Sequence, residues 1–385
     1  MISIEGKITL IGFLTMFVVG VSDLIVVGII SPMSEAFNVQ TSLIGQLVTI
    51  YAVSFAVLSP ILTKITSRFH DKKTLLISLF IFIIINFLVV FVNSFLLLCI
   101  LRILLAACAS LVTVKLMAIG AKLVAPEKKA KVVSNIYVGF SAANILGVPL
   151  GTLLAAHFFW TIPFYLIGLM AIFCLLLIFF FIPSVKPELK ENAKQGEYKI
   201  LDKKGIIIIL TFLWLMMVSN SMLFTYLEPI IRDGGHSLTT VSLALFIAGV
   251  AGVVGSKLGN LLSEKFGYYM AGSIIVFVYI ISLFMLLFYT ENIIVVLLGV
   301  LLWNLFHWGT NPTVQYALLQ FIKGDPSQIF SYNISLLNLG IGIGSFIGGA
   351  LVLKDPHFIL SIVVAIGIAI VSFLILSAIR KNPVK

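Results

Sequence analysis

The chain has 385 residues, of which 61% are hydrophobic and 10% charged, with a mean hydropathy of +1.18 and a formal net charge of +10. A soluble domain of this length cannot bury that much apolar surface, so the composition excludes a water-soluble fold and requires lipid as solvent. Cys99, Cys108 and Cys174 lie inside apolar runs, are odd in number and lack ligand spacing, which leaves no disulfide framework and no zinc site.

Apolar runs long enough to cross a hydrocarbon layer of roughly 30 Å follow one another along the chain. In order they cover residues 8–31, 43–66, 74–92, 95–121, 132–156, 162–182, 205–230, 240–262, 269–289, 293–322, 330–352 and 358–379. The first lacks an evident small-residue cleavage site and is followed by further spans, so it reads as a retained helix rather than a signal peptide. Helices are predicted because a lone apolar segment in lipid must satisfy its own backbone hydrogen bonds. The prediction is an all-α membrane protein of twelve transmembrane helices.

Twelve spans put both termini on one side. Twenty of the 25 basic residues fall on that side, Lys7, Lys64, Arg68, Lys72, Lys73 and Lys122 among them; only Arg232 and Lys354 fall opposite. The remaining three, Arg102, Lys115 and Lys257, lie within helices. By the positive-inside rule both termini are expected in the cytoplasm, in a multi-pass protein of the cell (inner) membrane. The net charge is then mainly topology, with attraction to anionic lipid headgroups secondary, and no nucleic-acid partner is needed to explain it.

A long polar stretch, rich in Lys and Glu, divides the spans six and six. It sets the expected domains at 1–182, a cytoplasmic linker at 183–204, and 205–385. Shifting the sequence by 197 residues superimposes Pro32 on Pro229, Ser67-Arg68-Phe69 on Glu264-Lys265-Phe266, Gly147 on Gly344 and Gly151 on Gly348. One register across three helices argues for duplication, and parallel six-helix repeats are an architecture of secondary transporters.

Several motifs carry a resemblance. The first span holds Gly20-Val21-Ser22-Asp23-Leu24-Ile25-Val26-Val27-Gly28 followed by Pro32, the second Gly45-Gln46-Leu47 and Tyr51-Ala52, and the fourth begins with Leu101-Arg102. The fifth has Gly147-Val148-Pro149-Leu150-Gly151-Thr152, and the tenth Trp308, Pro312 and Gln315. Over essentially its whole length the chain resembles the drug:proton antiporter branch of the major facilitator superfamily, most of all its bacterial purine, ribonucleoside and sugar efflux permeases. In the loop between the second and third spans, the superfamily's glycine, aspartate and second glycine are replaced by Thr63, Ser67 and His70, with Arg68 and Lys72-Lys73 retained. The second-half copy keeps Glu264 and Lys265. The resemblance implies two pseudo-symmetric six-helix bundles, alternating access, a monomer, a small-molecule substrate exchanged for protons, and no cofactor.

Asp23 is the clearest functional candidate, because an ionisable carboxyl inside a membrane helix costs several kcal/mol unless paired, hydrated or protonated. Asp23 and Arg102 both lie about seven residues from an outer helix end, roughly 10 Å deep, and can share a level. Such a pair serves either proton coupling, if substrate or a conformational change weakens it, or structure alone. At a shift of 197 Asp23 meets Asn220, so the titratable group belongs to the first half.

Lys115 and Lys257 read as snorkelling side chains or as cavity cations. Glu228 reads as a group at the outer water interface or as a second proton carrier. Substrate contacts are expected among Gln46, Tyr51, Asn220, Tyr226, His307, Asn311, Gln315 and Asn338, since a few polar groups in an apolar cavity fix orientation. Interhelical hydrogen bonds are the other use of such side chains. Gly147, Pro149, Gly151, Gly344 and Gly348 are expected at a conformational interface, and serve tight packing equally well.

The leading function is proton-coupled export of a small organic molecule, with an importer or facilitator of the same fold as the alternative. A membrane-embedded enzyme is the third class. The sequence carries no His-Glu-x-x-His motif, Walker lysine loop or surface carboxylate cluster for it.

Overall fold

The computed structural model describes residues 4–125, 128–184, 198–288, 291–324 and 327–380. The chain forms two compact units, Met1–Glu191 and Asn192–Lys385. Much of the expected linker, residues 185–197, lies outside the described residues, as do Lys381 and Lys385.

In the first unit the helices are α1 (Ile4–Leu24), α2 (Ile30–Phe37), α3 (Thr41–Ile65), α4 (Asp71–Val89), α5 (Phe95–Lys122), α6 (Lys129–Ala142), α7 (Val148–His157) and α8 (Ile162–Phe181). α1 lies along α6, and α5 packs on both α3 and α4. In the second unit, strand β1 (Tyr198–Ile200) precedes α9 (Lys203–Phe224), α10 (Leu227–Asp233), α11 (Leu238–Phe288), α12 (Ile293–His307) and α13 (Thr310–Phe321). Strand β2 (Ile322–Gly324), α14 (Ser327–Val352) and α15 (Ile359–Arg380) complete it. α9 lies along α14, the pairing that α1 makes with α6 in the first unit.

Among the described residues, eleven continuous helical runs are long and apolar enough to cross a membrane. The 51-residue α11 supplies two of the spans, because Gly267 breaks it at φ 79° and ψ 159°. Glycine adopts that positive φ without a Cβ penalty. The twelve-span all-α prediction holds. Within the expected linker, β1 begins at Tyr198 and pairs antiparallel with β2, and Asp202 then caps α9 by accepting from the Gly205 amide at 2.8 Å.

Proline accompanies three of the breaks in the spans, although Pro60 lies inside the continuous α3. It has no amide hydrogen and its ring clashes with the carbonyl four residues back, so it is tolerated best in a helix's first turn. Pro32, Pro229 and Pro312 are each the third residue of a restarting helix, α2, α10 and α13. Four residues earlier stand Gly28, Thr225 and Trp308, and each lies in the interruption preceding its helix. The first and seventh spans, expected as unbroken runs to 31 and 230, are therefore each divided near the same repeat position. In the fifth span Pro149 follows a π turn at Ala143–Gly147, a widening that a missing amide four residues beyond Ile145 accounts for.

Glycine sets the closest helix contacts. A Cβ on Gly344 would collide with the Val218 carbonyl and one on Gly348 with the Met222 carbonyl, both in α9. Gly147 and Gly151 similarly admit Val21 and Ile25. Each of these four glycines thus packs closely against a helix of its own unit.

Candidate functional site

Asp23 is the penultimate residue of α1, at the end where α-helical bonding gives way to a 3-10 turn over Ile25–Gly28. Such a helix end leaves carbonyls without intrahelical donors. Arg102 of α5 supplies them: Nη1 donates to the Ser22 carbonyl at 2.8 Å and Nη2 to the Asp23 carbonyl at 3.1 Å. The cation also sits at the negative end of the α1 dipole, which favours it further. Its guanidinium carbon lies 4.5 Å from the centroid of the Tyr51 ring, so Arg102, fully buried, is sandwiched between a helix end and an aromatic face.

This geometry corrects the expected ion pair. Asp23 and Arg102 do share a level, but the guanidinium holds the backbone of Asp23 and not its carboxylate. Among the described residues the part-buried carboxylate has no hydrogen bond and no ion pair. Arg102, Tyr51 and Tyr137 are the groups within its electrostatic reach. Nε of Arg102, Oγ of Ser22 and the Tyr51 hydroxyl are buried and unpartnered. A fork that cannot be deprotonated at accessible pH therefore fixes the helix end beside a carboxyl that can gain and lose a proton.

Asn220, the repeat counterpart of Asp23, is held differently. Trp303 Nε1 donates to its Oδ1 at 2.8 Å, while the position matching Arg102 is Gly299. The neighbouring Ser219 hydroxyl donates to the Ala365 carbonyl at 2.8 Å and bonds the Tyr279 hydroxyl at 3.0 Å. His307 is buried in ring contact with Tyr279 and Trp308, its Nδ1 unpartnered.

The other candidates scatter. Asn311 accepts from Asn333 at 2.9 Å, and Asn338 donates back to the Ile334 carbonyl of its own helix at 3.0 Å. Tyr226 is fully buried beside Gly348, and Gln46 and Gln315 are part-buried. Glu228, read as a water-interface group, is instead fully buried, with Arg232 Nε 4.0 Å from its carboxylate. The glutamate lies in the first turn of α10, turned inward by the helix restart.

Lys115 is neither a snorkelling side chain nor a free cation. Its Nζ lies 2.9 Å from Asp71 Oδ1 and donates to the Thr66 carbonyl at 3.2 Å, while Lys122 Nζ holds Asp71 Oδ2 at 2.9 Å. Asp71 opens α4 where the antiparallel α5 approaches its end, and so ties the α3–α4 connection to α5. Arg68, Glu264 and Lys265 are exposed, and none of them forms an ion pair among the described residues. Lys265 instead covers the Phe266 ring at 5.2 Å. Lys257 is exposed.

Comparison with known proteins agrees with this architecture. Residues 12–333 match the family model described as Major Facilitator Superfamily. An uncharacterized MFS-type transporter of Bacillus subtilis (strain 168), YbcL, is 28% identical over 375 residues, covering 96% of this chain and 95% of that one. Among solved structures, a D-xylose-proton symporter superposes with a TM-score of 0.77 at 17% identity, covering 97% of each chain. A mutant of the nucleoside transporter NupG superposes with a TM-score of 0.73 at 14% identity, covering 98% of this chain and 99% of that one. At those identities the likeness is one of fold. The family match over most of the chain, together with the succession of apolar spans, establishes that the protein belongs to the Major Facilitator Superfamily of membrane transporters.

Proposed function

We propose that this transporter exports a small organic molecule by proton antiport, with Asp23 as the proton-binding group and Arg102 as the residue that fixes its helix. The observation that carries the reading is a carboxyl inside a membrane span with no counter-ion on its oxygens among the described residues, beside an arginine committed to backbone carbonyls. A carboxyl so placed is free to exchange a proton without breaking an ion pair. The break of α1 immediately after it links protonation to the direction of the outer helix segment.

In this reading protein and solute alternate between two accessible states. Residues 1–182 and 205–385 are the moving bundles, the termini are cytoplasmic, and the cell membrane supplies the gradient. The change from Asp23 to Asn220 at the repeat position supports coupling in the first half. Nucleosides and sugars, named for the structurally similar proteins, are the first solutes to test. A proton symporter with the same carboxyl would import instead, and the sign of the gradient effect separates the two.

The test is accumulation of radiolabelled uridine, adenine, D-xylose and tetraphenylphosphonium in proteoliposomes with an imposed pH gradient. Uptake of one of them into vesicles that are acidic inside, lost when the gradient collapses, is the expected antiport result. Flux of all of them that is indifferent to the gradient contradicts it.

A further inference from the structure

Strands β1 and β2 tie the segment before α9 to the segment after α13, wholly within the second unit. Their antiparallel register sets Lys199 directly against Lys323 and Ile200 against Ile322. Successive residues of a strand point to opposite faces, so the lysine pair and the isoleucine pair lie on different faces. Ile322 is buried, which turns the isoleucine face toward the core and the lysine face away from it; Lys199 and Lys323 are both exposed.

Directly opposed side chains in such a ladder have Cβ atoms about 4.5–5.5 Å apart, and like charges there weaken the pairing. Two more exposed lysines, Lys203 and Lys204, open α9 just after the strand. Asp202 is the acid of this stretch, and its carboxylate already accepts from the Gly205 amide at 2.8 Å. The lysines of the first unit are treated differently: Lys115 and Lys122 share Asp71, and Lys128 pairs with Glu5. Among the described residues no carboxylate pairs with Lys199, Lys203, Lys204 or Lys323. The opposed pair therefore lacks a counter-charge that an anion from outside the chain can supply.

We propose that the lysine face of β1 and β2 binds the phosphate of an anionic phospholipid headgroup. Each ammonium carries three donors, and the phosphate oxygens accept from both at once. A lipid, rather than free phosphate, fits what borders the lysines. Leu201 is exposed beside the strand, and Ile207, one turn beyond Lys203 on the same helix face, exposes an apolar side chain at the start of a membrane span. A headgroup over the opposed lysines and an acyl chain along Ile207 use the charge and the apolar surface together. The bound headgroup neutralises the repulsion across the ladder, and so holds the entry to α9 against the exit from α13.

The test counts lipid retained on the purified full chain by native mass spectrometry, over titrations with phosphatidylglycerol and with phosphatidylcholine. Saturable retention of phosphatidylglycerol, and not of phosphatidylcholine, is expected. Lys199→Gln and Lys323→Gln should each weaken the tightest retention about five-fold, the attraction of one lysine for an anionic headgroup. Lys73→Gln, which removes an exposed lysine of the first unit, should leave it unchanged. Thermal melting adds a readout that loss of folding cannot imitate. Without anionic lipid the two variants are expected to melt no lower than the parent, and on adding phosphatidylglycerol the parent should gain more than either. Equal retention by the parent and by the double variant Lys199→Gln with Lys323→Gln overturns the site, as does an equal loss in Lys73→Gln. Displacement of the lipid by inorganic phosphate at equal concentration overturns the choice of a lipid headgroup.

Discussion

Arg102 does two jobs that a lysine could not. Its fork reaches two carbonyls at once and its plane lies on the Tyr51 ring. Arg102→Lys is therefore expected to leave one buried carbonyl unpaired and to lower stability by about 1–3 kcal/mol, read as a fall in melting temperature in detergent. Asp71 offers a second case. Asp71→Asn leaves Lys115 and Lys122 facing each other without their shared counter-charge, at an expected cost of about 3 kcal/mol. The double variant Asp71→Leu with Lys115→Met should recover most of that loss, and a double variant as unstable as the single one would contradict the account. At this scale the sequence announced Asp23 and Arg102, because ionisable groups in apolar runs are conspicuous. It did not announce what Arg102 holds, since backbone carbonyls look alike in every residue until a helix end singles two of them out. Asp71 was hidden for the opposite reason: it stands in a charged loop sequence and becomes buried only when α5 reaches it.

At the scale of elements, the spans were legible from hydropathy, and the sixth span differs from its expected limits by a single residue at its end. The interruptions were not. Proline marks them, but a proline read alone says only that some residue nearby loses a hydrogen bond; the regular placement of Pro32, Pro229 and Pro312 in the third position of a new helix is a structural fact. The 197-residue register reappears there, since α2 starts at Ile30 and α10 at Leu227. Close helix approach is the other property of this scale. Gly344→Leu would drive a side chain into the Val218 carbonyl, and backbone cannot yield as a side-chain tip can. The expected outcome is a loss of at least about 1–3 kcal/mol, or failure to recover a monodisperse protein by size exclusion. A variant that melts with the parent would show that α9 and α14 have slack the packing does not suggest.

For the whole molecule, the two units share the pairing of their first and fifth spans and differ in chemistry. The first keeps a carboxyl beside a helix end capped by arginine, and the second an amide held by a tryptophan. The proposed function uses this asymmetry, with the proton carried by Asp23 in the first unit and no counterpart at Asn220. The most direct test of that account is proton movement itself, followed by a pH-sensitive dye inside proteoliposomes when a transported solute is added outside. With the parent protein the lumen should change pH on addition of the solute, and with Asp23→Asn the pH should stay flat while solute exchange continues. A lumenal pH response of equal size in Asp23→Asn would show that the proton is carried elsewhere.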